Sequence, residues 1–252
     1  MTVKLYAITC GHLTIPTAFL LAGREGATRV PITSYLIDHP RGRVVFDSGL
    51  HIATQRDPSA HVGDVLAAVH QFDYGAGEDI GVRLTSIDVD PASVTHVVNS
   101  HLHFDHCGGN ALLPNAAVVV QRPEVDAAKE GGDVKGYVAA DFDTGQPRQL
   151  IDGEHDLFGD GSVVLIPTYG HTPGHQSARV RTENGEFVLC GDACYLKEAL
   201  DTMTLPGIIA DPDGVIRALH LFRELQSKGA AIMYGHDLEF WKAIPQAPAR
   251  LG

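Results

Sequence analysis

Basic residues are scarce in this chain of 252: 19 Lys and Arg stand against 31 Asp and Glu, a formal charge of −12. That excludes a nucleic-acid partner, because a phosphate backbone is held by clustered cations. Cysteine is scarcer still, and Cys10, Cys107, Cys190 and Cys194 follow no framework spacing. A disulfide-held secreted scaffold is therefore excluded, and thiols kept reduced in a cytoplasmic location are the expectation. No apolar run approaches the roughly 20 residues that span a bilayer. The N-terminus lacks the charged-then-apolar shape of a signal peptide, so no membrane partner is expected. Repeats and low-complexity tracts are also missing. The length suits one large domain or two small ones. Because late residues complete a site begun by early ones, a single domain over residues 1–252 is the reading.

Histidine is plentiful, and its placement is informative. His101-Leu102-His103-Phe104-Asp105-His106 packs three imidazoles and a carboxylate into six residues. In an extended segment side chains two apart point the same way, so His101 and His103 can grip one ion together. A turn at Phe104 would aim Asp105 and His106 at a second ion. Imidazole and carboxylate suit zinc and its first-row neighbours. The run follows a β-branched strand, Val94 to Asn99, and precedes Gly108-Gly109-Asn110, which permits a tight turn. A loop at a strand end holds ligands on rigid scaffold while leaving them open to substrate.

Three later positions repeat that placement: His171 after Val163 to Gly170, Asp192 after Phe187 to Gly191, and His236 after Ala230 to Gly235. Two four-coordinate sites need about three protein ligands each plus a bridge. The five His and two Asp meet that need.

The remaining elements follow from local pattern. Val3 to Ile8 reads as a first strand, and Pro31 to Ile37 with Arg43 to Phe46 as a hairpin turning at Asp38 to Gly42. Val62 to Phe72 and Glu78 to Ile87 read as helices. Ala117 to Gln121 is a strand, followed by a helix with Pro123 in its first turn. Gly131 to Pro147, rich in Gly and Asp, reads as an irregular connection over the surface. His155 to Phe158, Ser162 to Ile166, Ser177 to Arg181 and Glu186 to Leu189 read as strands, the last two joined at Asn184-Gly185. A helix capped by Asp211 or Asp213 carries Val215, Leu219 and Phe222 at helical spacing and stops at Gly229. Ala231 to Tyr234 is a last strand. This order predicts an α+β fold, two sheets face to face with helices outside.

His101 to His106, His171 in His-Thr-Pro-Gly-His, Asp192, and His236 in Gly-His-Asp together resemble the metallo-β-lactamase superfamily. Within it the wording is similar to the quorum-quenching N-acyl-homoserine lactonases. Four segments carry this: Met1 to Tyr6, Ser100 to His106, Gly170 to Ser177 and Gly235 to Glu239. The resemblance implies an αβ/βα sandwich of two mixed sheets with a dinuclear metal cleft at the sheet edge. It implies that His101, His103 and His171 bind one divalent ion and Asp105, His106 and His236 another, with Asp192 bridging. Zinc is the first choice, with cobalt, manganese or iron as substitutes. The resemblance makes His175 structural and Asp47 a carboxylate that orients a ligating imidazole. It gives Tyr195 the hydrogen bond to the substrate carbonyl; once metal-bound hydroxide attacks the lactone, Asp105, between water and leaving oxygen, can shuttle the proton. Cys194 stands where Ser is more usual; Cys107 and Cys194 read as small buried hydrophobes near the site.

The implied substrate is a small-molecule lactone. Rival readings are a different lactone, a thioester hydrolase of the glyoxalase II type, and a non-catalytic metal-binding module. Thr17 to Leu21, Phe72, Tyr74, Ile208 and Ile209 are candidates for an apolar wall. The chain would be a monomer or a homodimer, with His51 to Gly77 as the pairing surface.

Overall fold

The structure, a computed structural model, describes residues 2–132 and 135–252. A first mixed sheet holds β1 (Lys4–Pro16), β2 (Ala27–His39), β3 (Gly42–Phe46), β4 (Gln71–Asp73), β5 (Val94–Val98), β6 (Ala117–Gln121) and β7 (Arg148–Ile151), in the order β4-β1-β2-β3-β5-β6-β7. A second holds β8 (His155–Asp156), β9 (Val163–Pro167), β10 (Gln176–Thr182), β11 (Gly185–Leu189) and β12 (Ala231–Met233), in the order β12-β11-β10-β9-β8. The helices are α1 (Thr17–Leu20), α2 (Pro58–Val69), α3 (Ile80–Thr85), α4 (Phe104–Cys107), α5 (Arg122–Gly131), α6 (Ala139–Phe142), α7 (Lys197–Thr202), α8 (Pro212–Ser227) and α9 (Leu238–Trp241).

Three buried clusters give the layers. Between the sheets, Leu5, Tyr35, Ile37 and Phe46 meet Leu165, Ala178, Val180 and Leu189. On the far side of the second sheet, α8 lays Val215, Leu219, Phe222 and Leu225 against Ile166, Val188 and Ile232. Asp211 caps α8 by accepting from Asp213 N, and Pro212 opens its first turn. On the far side of the first sheet, Val97, Val118 and Val120 pack with Leu66, Leu84 and Val125 of the helical layer. The sandwich with external helices is therefore as expected.

β1 runs on to Pro16, well past the expected strand. A register shift between Thr9 and His12 explains why the alternation looked broken. Leu5 and Ala7 face the second sheet, whereas Leu13 and Ile15, an even number of residues on, face the helices, because an inserted residue moves later side chains to the other face. Gly11 sits in this bulge at φ 89, and a Cβ there would meet Tyr74 Cδ2 at 2.6 Å. The expected helix Val62 to Phe72 begins earlier, at Pro58 behind the Asp57 cap, and is kinked at Gly63. Its end is not helical: Phe72 pairs with Leu13, and Gln71–Asp73 is the edge strand β4. The stretch from Gly131 to Pro147 does more than cross the surface. Tyr137, Val138 and Phe142 are buried there, α6 lies within it, and Gly136 O accepts from Phe104 N at 2.9 Å. Residues 133 and 134 of that stretch lie outside the described residues. The short helices α7 and α9 had no sequence expectation, because four to six residues hold too little periodicity to read.

Strand direction positions the site. β3 and β5 run parallel with Phe46 opposite Val98, so their ends deliver Asp47 and the Ser100-His101 segment side by side. In the second sheet β11 and β12 run parallel with Leu189 opposite Met233, and the loops beyond them carry Asp192 and His236. Ligand-bearing loops from both sheets thus emerge at one edge.

Candidate metal centre

His101 to His103 is irregular, and α4 starts at Phe104 with His103 at its N-cap. Asp105 and His106 lie in that one-turn helix, so the turn expected at Phe104 falls between the pairs His101/His103 and Asp105/His106. His101, His106, His171, Asp192 and His236 are all buried.

Hydrogen bonds fix which imidazole nitrogens are bare. His236 Nδ1 lies 2.9 Å from Pro31 O, and His171 Nδ1 lies 3.2 Å from Ile208 O. A carbonyl only accepts, so Nδ1 carries the proton and Nε2 presents a lone pair. His106 Nδ1 donates to Asp47 Oδ2 at 2.9 Å. Asp47 also accepts from Ser100 N at 2.6 Å and from Ser100 Oγ at 2.8 Å. With its proton on Asp47, Ser100 Oγ accepts from His101 Nδ1 at 2.9 Å. One buried carboxylate therefore orients His106 directly and His101 through a hydroxyl, as ligand-supporting carboxylates do.

The bare nitrogens converge in two groups. His101 Nε2 and His171 Nε2 lie 2.9 Å and 3.2 Å from His103 Nδ1. One proton on His103 can serve only one of these neighbours, so the trio crowds lone pairs in a way that a cation relieves. In the second group His106 Nε2 and His236 Nε2 lie 3.6 Å and 3.8 Å from Asp105 Oδ2. Asp192 stands between the groups. Its Oδ1 is 3.2 Å from His106 Nε2 and 3.1 Å from His236 Nε2, while its Oδ2 is 3.4 Å from His171 Nε2 and 3.8 Å from His101 Nε2. His106 Nε2 and Asp192 Oδ1 are buried without a well-formed hydrogen bond, a costly state for polar atoms unless an ion completes it. The groups His101/His103/His171 and Asp105/His106/His236 each bring three donor atoms within 4.8 Å of one another. The donor set fits a divalent metal ion, nitrogen and oxygen being the ligands such ions take here.

The electrostatics agree. Burial pushes His101 and His103 well below the ordinary imidazole range, helped by their imidazole neighbours, which keeps their lone pairs free. Burial opposes charge on His106 too, but Asp192, Asp105 and Asp47 outweigh it and hold its imidazolium well above that range. Burial likewise works against the Asp192 carboxylate, yet His106 and His236 hold it well below the usual carboxylate range. The carboxylates around His106 and His236 thus favour a positive charge at this end of the site.

His175 is not available as a ligand. Its Nε2 accepts from Asp192 N at 3.0 Å and its Nδ1 bonds Thr168 Oγ1 at 2.9 Å, so it positions the Asp192 loop. Tyr195 is buried, its Oη 3.2 Å from the His171 Nδ1 that also serves Ile208 O. Burial, then the Asp192 and Asp105 charges, hold its phenol well above its ordinary pKa, so it keeps a proton to donate. Cys107 Sγ bonds Leu102 O and His103 O, and Cys194 Sγ bonds Leu196 O. Burial raises both thiols, which makes them packed hydrophobes rather than thiolates.

Glu124 of α5 had no sequence expectation. Fully buried, its carboxylate accepts from Leu102 N at 3.0 Å, Thr172 Oγ1 at 2.7 Å and Gly174 N at 3.0 Å. It ties the His101 loop to the His171 loop. Gly174 must lack a side chain, because a Cβ there would sit 2.1 Å from Glu124 N. A separate group, His51, His61 and Asp141, also gathers potential ligands. Its imidazoles are stacked at 4.1 Å and 7°, so an ion in one ring plane lies out of the other. His51 Nδ1 moreover accepts from Ala53 N. The pair is a stacked cap, not an ion site.

A cleft of about 290 Å³ opens over the paired groups, with Asp105, Asp192, Tyr195 and His236 at its base. Phe19 and Ile208 line it as expected, together with Leu13, Ile15, Val65 and Val69, which were not foreseen. Phe72, Tyr74 and Ile209 do not line it; Tyr74 is buried with its Oη on Leu50 O. Among the described residues no helix is long and apolar enough to cross a membrane.

The chain belongs to the metallo-beta-lactamase superfamily, whose family model matches residues 27–236, from β2 to the last ligand candidate. Divalent metal use follows from that membership together with the His/Asp groups. Along nearly its whole length the chain is similar to proteins named for one activity. It is 32% identical to the N-acyl homoserine lactonase AttM of Azorhizobium caulinodans, over 98% of this chain and 97% of that protein. It is 34% identical to the AttM lactonase of Agrobacterium fabrum, with the same coverage. Among solved structures, an N-acyl homoserine lactone hydrolase with the product N-hexanoyl-L-homoserine bound at its catalytic metal centre matches with a TM-score of 0.90. That match has 27% identity and covers 100% of both chains.

Proposed function

We propose that this protein is a divalent-metal hydrolase that opens the lactone ring of N-acyl homoserine lactones. The observation that carries the reading is Asp192, whose two oxygens face two separate His groups beneath an apolar cleft. We assign His101, His103 and His171 to one ion, Asp105, His106 and His236 to the other, and Asp192 to both, with zinc as the metal. Bound ions would supply Lewis acidity, making water a nucleophile near neutral pH and polarising a carbonyl.

The chain's own residues do the rest. The apolar wall takes the acyl chain and excludes water from it. Tyr195, held protonated, donates to the oxygen of the attacked carbonyl as its charge develops. Asp105, the more open of the two carboxylates, takes the proton from water and returns it to the ring oxygen as the acyl C–O bond breaks. The product is the hydroxy acid, heavier by one water. A glutathione thioester fits less well: Lys135 is the one Lys or Arg among the described residues that line the cleft. The four free, buried cysteines support a cytoplasmic location, and we propose a monomer or homodimer, which light scattering would refute by giving any larger mass.

The test is mass spectrometry of N-octanoyl homoserine lactone, a simple γ-lactone and a glutathione thioester with native, chelated and zinc-restored protein. Metal-dependent gain of one water, fastest on the acyl homoserine lactone, is expected. A faster thioester reaction would overturn the assignment.

A further inference from the structure

A histidine interrupts the apolar wall of the cleft. His70 directly follows the last residue of α2, and its ring lines the cleft beside Leu66, Val69 and Phe104. It stands edge-on to Phe104, with ring centroids 5.2 Å apart at 84°, and tilted against Phe19 at 6.1 Å. Its Nδ1 lies 2.8 Å from Leu66 O. The carbonyl can only accept, so in the neutral ring Nδ1 holds the proton and Nε2 is a bare acceptor. No hydrogen bond from the described residues reaches that Nε2.

His70 and Phe104 line the same cleft as His103, Asp105 and Asp192, so an acyl chain whose lactone lies over the His/Asp groups has these two rings along its path. We propose that His70 is a specificity residue. It accepts a hydrogen bond from a hydroxyl on the acyl chain near the amide, and so favours 3-hydroxyacyl substrates over plain or 3-oxo chains of equal length. A methylene offers nothing to a bare acceptor. A keto oxygen sets acceptor against acceptor, which costs desolvation without return. This deepens the lactonase reading and rests on it.

The experiment compares kcat/KM for N-octanoyl, N-(3-oxooctanoyl) and N-(3-hydroxyoctanoyl) homoserine lactone on the zinc-loaded protein and on His70→Phe. The expected hydroxy-to-plain ratio is about three to ten in the unaltered protein, the range of one hydrogen bond exchanged for water, and about one in His70→Phe. Ratios taken on one preparation do not depend on how much of it is folded. A ratio of one or less in the unaltered protein, or an unchanged ratio in His70→Phe, would overturn the assignment to His70 while leaving the lactonase reading intact. Absence of turnover on all three would remove both.

Discussion

Replacing Asp47 by Asn changes one atom and should weaken metal binding sharply. Asp47 is 2% exposed and meets three donors: Ser100 N, Ser100 Oγ and His106 Nδ1. An amide has one oxygen and one NH₂ to offer them. With the oxygen on Ser100 N, the NH₂ faces His106 and drives its proton from Nδ1 to Nε2, the atom assigned to the ion. With the amide flipped, two N–H groups confront each other at Ser100, and a buried donor goes unsatisfied at about 1–3 kcal/mol. Either way, restoring the ligating tautomer costs that much, which corresponds to about 10- to 100-fold in metal affinity. The backbone is not at issue, since Asp47 adopts φ 56, where Asn is equally at home. Zinc competition against a chromophoric chelator reads both binding constants. The constant for the His106 group should fall most, and that for the His101 group less, because Ser100 intervenes. Two constants within twofold of the unaltered protein would refute the hydrogen-bond argument.

Other outcomes follow from the same geometry. Tyr195→Phe should cut lactone turnover by about 100-fold with zinc content unchanged by metal analysis; unaltered kinetics would remove its role at the carbonyl. Glu124→Gln strands a buried donor and should cost about 1–3 kcal/mol, a Tm drop of roughly 3–10 °C, in the zinc-loaded protein; an unchanged Tm would contradict the tie between the His101 and His171 loops. In chelator-stripped protein the pH dependence of Tm has a definite sign. His101, His103, His171 and His175 are pushed below 6.5 by burial, so below that pH the unfolded chain binds more protons and stability falls as pH drops. His106 and His236 are raised above 6.5 by surrounding carboxylates that outweigh burial; their stabilisation is complete below that value and fades as pH rises through the raised one. Stripped protein should therefore be most stable near neutrality and lose Tm more steeply toward acid, and a Tm that rose from pH 6.5 to 5 would contradict this.

The candidate His/Asp groups were legible because the loop that carries each of them follows a strand, and such strands are written locally in β-branched runs followed by Gly, Asp or His. The pairing of those ends was not local, since it depends on β3 lying against β5 and β11 against β12. Glu124 reads as an ordinary carboxylate in the first turn of α5, and only the fold brings the Leu102 and Gly174 amides to it. The length of β1 was hidden by the bulge at Gly11, which reverses the apolar alternation midway. Val62 to Phe72 read as one helix because apolar residues continue into β4, where the competing partner, Leu13, lies far away in sequence. The wall of the cleft was partly missed for the same reason: Val65 and Val69 project from a helix, and His70 from the end of that helix, whose position over the site is set by packing alone.

The most direct test is the rate of N-acyl homoserine lactone ring opening as zinc is returned stepwise to stripped protein. The rate should climb to a plateau at two zinc ions per chain, and His236→Ala should fail to reach it. A full rate at one ion per chain would contradict the paired site divided by Asp192, and no ring opening with two ions bound would contradict the proposed reaction.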